Sequence, residues 1–428
     1  MQYAFVLGRV FTLSLAELLQ VLAQLKKEIK VIAASYEVLI IEVPEQLDTE
    51  RLQKQLGGTI KILKIVDEVK KREQDSRNVA LKNYFKPSKI KTEFLKNKSG
   101  KIQFGVSVYL LDPEVQAFGE GKRIGMFIKR SMQDSGASIR LVLPEYNSLA
   151  LASVVVTKNL IIEKGAEICV LAGKESVYIA KTLRVQDFED YGRRDYQRPI
   201  RDEKQGMIPP KVAQVMLNLV NAQSGDTLID PFCGIGTIVQ EGVLLGFKML
   251  GTDINKQAIS GSEKNLEWFR NRYKISPGKY HLDTYDAKEV SAVVEKLKLI
   301  GAFKEVRGVV TEGFLGPMYS EFPKMPDIEK NFKELGTLYK ESFAEFAKFL
   351  PAGSRIILCI PAYKKGKTDY VLFPSLDFAK NLGYNNVDII PEKIAKSMPF
   401  LQLTERKTAI YDRKDQIVAR EICIFEKS

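Results

Sequence analysis

The sequence predicts an α/β protein whose C-terminal half binds a nucleotide and whose N-terminal half is α+β. A short apolar run ends in Asp230, the chain then turns through Gly234 and Gly236, and a helical pattern follows. This order is typical of a strand–loop–helix nucleotide site. A second apolar strand ends in Asp253, about 20 residues further on, where a carboxylate can bind ribose hydroxyls. The glycine spacing fits neither a phosphate-binding P-loop nor a dinucleotide fingerprint. Together these observations indicate an adenosine-containing ligand.

Composition narrows the class of protein. The 428 residues suggest two or three domains, and Lys plus Arg exceed Asp plus Glu by 65 to 53, a net charge of +12 that is compatible with a nucleic-acid partner. The four cysteines have no metal-ligand spacing and His281 is the single histidine, which disfavours a metal site or a Ser-His-Asp triad. Because no leader peptide and no apolar run of about 18 residues is present, we expect a cytoplasmic protein without a membrane segment.

The first 82 residues have the alternation of a small ferredoxin-like α+β module. Apolar runs predict strands over residues 3–7, 35–43 and 59–66, and a helix over 49–56 lies between the last two. A further helix is predicted to begin at Ser14, with Ser14 as its N-cap and Glu17 completing a capping box.

Residues 83–185 change character and carry the candidate RNA-binding residues. Strands are predicted over 101–111, 139–143 and 152–156, and a basic helix over 123–133. Lysines cluster among Tyr84, Phe85 and Phe94, so the segment is either a solvated charged face or a surface on which bases stack. The candidates for RNA contact are Lys86, Lys89, Lys91, Lys98, Lys129 and Arg130.

Residues 186–205 are polar and aperiodic and predict a linker between the N-terminal half and a domain at 206–428. A helix over 212–219 follows Pro209. Further patterns predict a helix over 256–273, strands over 280–287, 306–311 and 356–361, and a C-terminal hairpin of 407–411 with 417–425.

Several motifs of this domain resemble one known family. The run Asp230-Pro-Phe-Cys-Gly-Ile-Gly-Thr resembles the first motif of class I S-adenosylmethionine-dependent methyltransferases, and its Pro-Phe-Cys-Gly variant resembles RNA methylases that carry a THUMP domain. Residues 194–199, 206–211 and 411–422 are similar to further segments of these enzymes. The resemblance implies a Rossmann-like domain with a seven-stranded mixed sheet, and a THUMP-like RNA-binding domain over 83–185.

The resemblance also implies the cofactor S-adenosyl-L-methionine and the residues that hold it. At the third strand we prefer Asp286 over Asp283 as the residue that binds the adenine amine, because Asp-Ala followed by a helix is the usual form in the family. The implied cofactor-binding residues are Pro209, Asp230, Phe232, Gly234, Gly236, Thr237, Asp253, Ile254, Asp286 and Ala287.

The catalytic motif departs from the family pattern. Related amine methylases carry Asp/Asn-Pro-Pro-Tyr/Phe at the end of the fourth strand, where this chain has Thr311-Glu312-Gly313-Phe314. Either Thr311 replaces the acid, in which case Phe314 keeps the aromatic that stacks on the base, or Glu312 supplies the acid and the prolines are absent. The Gly313 carbonyl can accept from the amine. Because both prolines are lost, we expect a looser loop.

The family implies methylation of guanosine N2 in tRNA, by a metal-free enzyme for which we favour a monomer and tRNA or another structured RNA as the partner. Two alternatives stay open. One is another amine acceptor, such as adenine in RNA or DNA. The other is a non-catalytic RNA-binding protein that retains the cofactor site.

Overall fold

The N-terminal half of the chain is built on one mixed sheet. The structure is a computed structural model that describes residues 1–70, 77–117, 119–201, 207–366, 369–414 and 416–428. The elements of this half are β1 (Gln2–Leu7), α1 (Phe11–Gln24), β2 (Lys30–Ala34), β3 (Val38–Glu42), α2 (Thr49–Gln55), β4 (Thr59–Lys70), α3 (Arg77–Tyr84), α4 (Pro87–Glu93), β5 (Ile102–Leu110), α5 (Glu120–Asp134), β6 (Ile139–Val142), α6 (Ser153–Lys158), α7 (Ile161–Lys164), β7 (Gly165–Ala172), β8 (Ser176–Val185) and α8 (Phe188–Tyr196).

The strands from residues 1–82 and from 83–185 share this sheet, whose order is β2-β3-β1-β4-β8-β7-β5-β6. The predicted boundary at residue 82 therefore does not separate two sheets, because β4 pairs antiparallel with β8 along its length. A buried ion pair connects the two parts: Lys61 Nζ on β4 lies 2.5 Å from Glu167 Oε1 on β7. Ser107 and Thr182 donate to the same carboxylate, so both of its oxygens accept hydrogen bonds.

Three local predictions in this half were wrong. The N-cap of α1 is Val10, and Ser14 donates to its carbonyl oxygen instead of capping the helix. Glu17 makes no capping box, because its buried carboxylate accepts from the backbone of Gly57 and Gly58. Residues 152–156 lie mostly in helix α6, where Val156 packs in a small core, so tertiary packing overrides the strand preference of the valines.

The C-terminal domain contains a second mixed sheet, in the order β11-β10-β9-β12-β13-β17-β15. Its seven strands confirm the predicted sheet, and two further short strands, β14 and β16, pair with β13 and β17. The elements are α9 (Pro210–Leu219), β9 (Thr227–Asp230), α10 (Thr237–Leu244), β10 (Lys248–Asp253), α11 (Lys256–Tyr273), β11 (Tyr280–Thr284), α12 (Val290–Leu299), β12 (Val306–Glu312), α13 (Met325–Phe349), β13 (Arg355–Lys364), β14 (Tyr370–Leu372), α14 (Asp377–Lys380), β15 (Tyr384–Val387), α15 (Glu392–Ala395), β16 (Ala409–Tyr411) and β17 (Val418–Lys427).

The two halves are joined by helices α1 and α9, which pack in one hydrophobic core. Polar contacts reinforce this interface: Gln214 donates to the backbone of residues 54 and 55, and Asn218 Nδ2 donates to Glu17 Oε1 at 2.7 Å. The close approach leaves no room at Gly57, where a Cβ would lie 2.4 Å from the Lys211 carbonyl oxygen. The predicted linker 186–205 includes helix α8, so the described part of it is structured.

Strand order locates the ligand crevice. From β9 the chain builds outward through β10 and β11 on one side and through β12 and β13 on the other, and these five strands run parallel. Ligands of doubly wound sheets bind where the strand order reverses, outside the carboxyl ends of the strands. That point lies between Asp230 at the end of β9 and Glu312 at the end of β12.

Candidate active site

The glycine loop between β9 and α10 is shaped by close contact with α11. Gly234 and Gly236 have φ values of +52° and +85°, in the left-handed region that favours glycine. Ser262 Oγ donates to the Gly234 carbonyl oxygen at 2.8 Å, and a Cβ on Gly236 would lie 2.8 Å from the same hydroxyl oxygen. The loop therefore requires glycine at Gly236, as the motif predicted.

Asp253 lies directly beside this loop. Its Oδ2 accepts from the backbone N–H of Gly234 at 2.9 Å, and its Oδ1 accepts from that of Asn255 at 2.8 Å. A carboxylate offers roughly four lone-pair positions, so acceptor capacity for ribose hydroxyls remains. The neighbouring Ile254 is 71% exposed and presents an apolar side chain at the same edge of the sheet.

The third strand ends before Asp286. β11 stops at Thr284, and Asp286 follows in the turn, where its Oδ1 accepts from the backbone of Lys288 at 2.9 Å. Asp283 lies inside the strand and approaches Lys296 Nζ at 4.0 Å. Ala287 is buried directly after Asp286. This arrangement favours Asp286 over Asp283 as the residue nearer the crevice.

Asp230 is buried at the centre of the crevice. Thr311 Oγ1 donates to its Oδ1 at 2.6 Å, and the backbone N–H of Phe232 donates to the same oxygen at 3.2 Å. Burial raises the pKa of Asp230 to about 8, against the lowering effect of these hydrogen bonds. Thr311 is fully buried, and its hydroxyl is engaged by Asp230.

Glu312 places a carboxylate at the end of β12. Its Oε1 accepts from Nε of Arg420, which lies on β17 and is almost fully buried. Arg420 Nη1 in turn donates to Gln416 Oε1 at 2.9 Å. The register in which Glu312 is the acid is therefore the one that this arrangement favours. The role of Arg420 was not predicted, although Arg420 lies in the C-terminal run that resembles the family.

Helix α13 holds the loop that follows Glu312 through two hydrogen bonds to its backbone. Tyr339 Oη donates to the Phe314 carbonyl oxygen at 2.6 Å, and Asn331 Nδ2 donates to that of Leu315 at 3.3 Å. Gly313 is closely packed, because a Cβ there would lie 3.0 Å from the Tyr339 ring. The Phe314 side chain is 52% exposed. These contacts hold the loop without the prolines, contrary to the expected looseness.

The segments on either side of residues 202–206 make contacts with the C-terminal hairpin and with α10. Pro209 is the N-cap of α9, and the backbone oxygen of Met207 accepts from Arg413 at 2.8 Å. Arg198 Nη1 donates to Thr237 Oγ1, in the first turn of α10, at 2.6 Å. Gly206, the first residue of the predicted Gly-Met-Ile-Pro-Pro-Lys motif, lies outside the described residues.

A buried ion pair supports the same region. Arg194 Nε on α8 donates to Glu241 Oε1 on α10 at 2.6 Å, and both side chains are almost fully buried. The sequence gives no signal for this pair, because the two residues lie 47 positions apart. The described part of the linker is thereby fixed to the helix that follows the glycine loop.

The predicted RNA-binding residues fall into two groups. Lys86, Lys91 and Arg130 are exposed, and Lys129 is half-buried. Lys89 and Lys98 have partners in the fold. The ammonium group of Lys89 lies 2.7 Å from Asp67 Oδ2, and that of Lys98 donates to two backbone oxygens at the end of α7.

The aromatic residues among these lysines do not form a stacking surface. Tyr84, Phe85 and Phe94 are buried in the core of the N-terminal half. The proposal that they stack on bases was therefore wrong, and the exposed cations are what this face offers to a polyanion.

The described ranges contain neither a cluster of metal-ligating side chains nor a helix suited to a membrane. No group of three or more His, Cys, Asp or Glu side chains in them could hold a metal ion. In the same ranges no helix combines the length and the apolar character needed to span a membrane. The four cysteines are free and buried.

The residues around the crevice fit S-adenosylmethionine. Asp253 retains acceptor capacity that ribose hydroxyls can use, Ile254 presents an exposed apolar side chain, and Asp286 presents a carboxylate after β11. The glycine loop has a backbone conformation that lets a ligand approach closely. The fold and this arrangement define a class I methyltransferase domain. In agreement, residues 198–294 match a protein family described as an RMKL-like methyltransferase domain.

Relatives identify the family. The chain is 30% identical to a probable tRNA (guanine(10)-N2)-dimethyltransferase of Methanothermococcus thermolithotrophicus, over 32% of this chain and 78% of that protein. It is 29% identical to the tRNA (guanine(10)-N2)-dimethyltransferase of Methanocaldococcus jannaschii, over 40% of this chain and 45% of the relative. The chain thus matches less than half the length of the second relative. It belongs to the family of tRNA (guanine(10)-N2)-dimethyltransferases.

Solved structures share the fold along the whole chain. TrmN from Thermus thermophilus matches with a TM-score of 0.53 and 14% identity, over 100% of both chains. A possible methylase from Clostridium difficile matches with a TM-score of 0.51 and 14% identity, over 100% of this chain and 98% of the other. At this identity the similarity concerns the fold alone.

Proposed function

We propose that the protein is an S-adenosylmethionine-dependent methyltransferase that methylates the exocyclic N2 amine of a guanosine in tRNA. The observation that carries the proposal is a carboxylate, Glu312, fixed by Arg420 across the switch point from the Asp253 cofactor cradle. The names of the archaeal relatives support tRNA as the substrate. Four free cysteines fit a reducing compartment, and we propose a cytoplasmic monomer.

The cofactor would lie along the carboxyl ends of β9, β10 and β11. Asp253 would accept from the ribose hydroxyls, Asp286 from the adenine amine, and Ile254 would cover one face of the adenine. The backbone from Phe232 to Gly236 would follow the methionine part, with Thr237 and Pro209 closing the site. When bound, S-adenosylmethionine supplies a methyl group on a positively charged sulfur, which an amine can attack with its lone pair to leave a neutral thioether.

The residues at the end of β12 would position the acceptor. Phe314, with its exposed ring and anchored backbone, would stack on the base. Glu312 and the Gly313 carbonyl would accept hydrogen bonds from the amine. An amine that gains a methyl group gains a positive charge and must lose a proton, and the Glu312 carboxylate stabilises that charge and can take the proton. Holding both reactants in line is the main contribution to the rate.

The N-terminal half would bind the RNA and determine which nucleotide reaches the pocket. Its exposed cations Lys86, Lys91 and Arg130 would contact phosphates, with Lys129 beside them. The packing of α1 against α9 fixes the distance between this face and the crevice. A base in a duplex must leave its stack to reach such a pocket, so the target is an accessible or flipped guanosine.

The test is transfer of radiolabelled methyl from S-adenosylmethionine to undermodified tRNA, followed by mass spectrometry of the nucleosides. We expect N2-methylguanosine or its N2,N2-dimethyl form. Detection of methylated adenosine instead would show that the acceptor is an adenine amine and not guanosine N2. Calorimetric binding of the cofactor with no transfer to any RNA would instead identify the protein as a non-catalytic RNA-binding protein.

A further inference from the structure

The Glu312 carboxylate lies at the end of β12, and a side chain two strands away fixes its position. Glu312 is the last residue of β12, and Arg420 reaches it from β17 across the intervening strand β13. The Arg420 side chain is 3% exposed and that of Glu312 is 18% exposed. A buried guanidinium needs a counter-charge, so this pair keeps a carboxylate oriented at the edge of the crevice.

Arg420 leaves part of the carboxylate available to a substrate. Its Nε engages Oε1 of Glu312, and its Nη1 is engaged by Gln416. A carboxylate accepts roughly four hydrogen bonds, so Glu312 retains capacity for two parallel N–H donors. It has only acceptors to offer. A base with an acceptor beside its amine would place the lone pair of that acceptor against a lone pair of the Glu312 carboxylate, which is repulsive.

Guanine and adenine differ in that respect. Guanine presents its N2 amine beside the protonated ring nitrogen N1, which gives two adjacent donors. Adenine presents its N6 amine beside an unprotonated N1, which gives a donor and an acceptor. We propose that Glu312, oriented by Arg420, selects guanine over adenine by accepting from N1–H and N2–H together. This inference rests on the proposed function, because it concerns the amine that is methylated there.

The test compares guanosine with 2-aminopurine at the methylated position of one synthetic RNA. 2-Aminopurine keeps the N2 amine but has an unprotonated N1, so the same nitrogen is methylated in both substrates. We expect the wild-type protein to prefer guanosine by roughly 10- to 100-fold in kcat/KM, the value of one good bidentate contact. Equal rates for the two RNAs would overturn the inference without any variant.

Glu312→Gln tests the residue itself. The amide offers one acceptor and one donor, which match the N2 amine and the unprotonated N1 of 2-aminopurine. We expect transfer to guanosine to fall by roughly 10-fold or more and the preference for guanosine to be lost. An unchanged preference in a folded Glu312→Gln protein with normal cofactor affinity would refute the assignment.

Two further variants separate selection from stability. Arg420→Lys keeps the charge but loses the planar fork, so we expect a lower kcat and a weaker preference at unchanged cofactor affinity. An Arg420→Lys protein with full preference would show that Arg420 does not orient Glu312. Glu321→Gln removes an exposed carboxylate in the segment between β12 and α13 and serves as the matched control, with the wild-type preference expected.

The outcomes for the two proposals are distinct. Absence of any transfer by the wild-type protein refutes the proposed function. Transfer to guanosine N2 with a preference that Glu312→Gln leaves unchanged refutes only the selective role of Glu312.

Discussion

The hydrogen bond from Tyr339 to the Phe314 backbone can be removed by deleting one oxygen atom, which tests whether a fixed conformation of the loop after β12 matters for methyl transfer. Tyr339→Phe removes the hydroxyl and keeps the ring in its buried position on α13. The Phe314 carbonyl oxygen then loses its donor. The observed loop conformation should become less stable by about 1–2 kcal/mol, a value between the net contribution of a hydrogen bond and the penalty for a buried polar group without a partner. If the loop must be ordered in the transition state, the rate of methyl transfer falls roughly 5- to 30-fold.

The assay is single-turnover methyl transfer at saturating cofactor and RNA, with cofactor affinity measured by calorimetry. Cofactor affinity should stay the same, because the Tyr339 hydroxyl bonds to the loop after β12, whereas the proposed cofactor residues follow β9, β10 and β11. Tyr384→Phe is the matched control. Tyr384 belongs to the same aromatic cluster, and its buried hydroxyl has no hydrogen-bond partner among the described residues. Its loss should leave the rate unchanged and stability equal or higher. A Tyr339→Phe rate within twofold of wild type would refute the reasoning.

Three further predictions concern stability. The pKa of Asp230 is raised to about 8 in the folded protein, so folding takes up a proton, and the stability that this proton contributes is lost as pH rises from about 4 to 8. Asp230→Asn should therefore make the free energy of unfolding in urea less dependent on pH, by up to about 1.4 kcal/mol per pH unit. Lys61→Met should lower stability by about 3–5 kcal/mol in the same assay, because Glu167 loses its buried cation. Gly57→Ala should cost about 1–3 kcal/mol and raise KM for RNA, because its Cβ meets the Lys211 backbone.

Each of these has a control and a contradicting outcome. An equally steep pH dependence in Asp230→Asn would show that this carboxyl is not the group that takes up the proton. Lys54→Met removes an exposed partner of Glu50 and should cost no more than about 1 kcal/mol; an equal loss in both lysine variants would contradict the burial argument. Gly192 has open space around its Cβ position, so Gly192→Ala should not lower stability, and an undamaged Gly57→Ala would show that the interface adapts.

The C-terminal sheet could be predicted because its strands carry their own signals. Parallel strands buried on both faces appear as continuous apolar runs, and here two of them end in Asp230 and Asp253. The loop after β9 carries Gly234 and Gly236, whose spacing indicates a turn in the left-handed region. The proposed cofactor site therefore depends on residues close together in the chain, and that is why the sequence is enough to propose its position.

Contacts between distant segments could not be predicted in this way. The spacing of Ser14 and Glu17 satisfies a capping box, yet Glu17 is used by the backbone at Gly57, 40 positions away. Likewise, whether Phe85 stacks on a base or fills a core depends on which face the sheet covers. The partner of Glu312 lies 108 positions further on, so pattern and propensity carry no information about it.

The same long-range contacts explain how the loop after β12, the proposed catalytic loop, keeps its shape. Prolines order a loop mainly by restricting the unfolded chain, and that restriction is present before any tertiary contact forms. In this chain, Tyr339 and Asn331 from α13 and Arg420 from β17 hold the loop through hydrogen bonds that exist only in the folded state. The geometry of the acceptor site therefore depends on the packing of α13 and β17. Changes on these elements, away from the substrate, should affect kcat more than cofactor affinity.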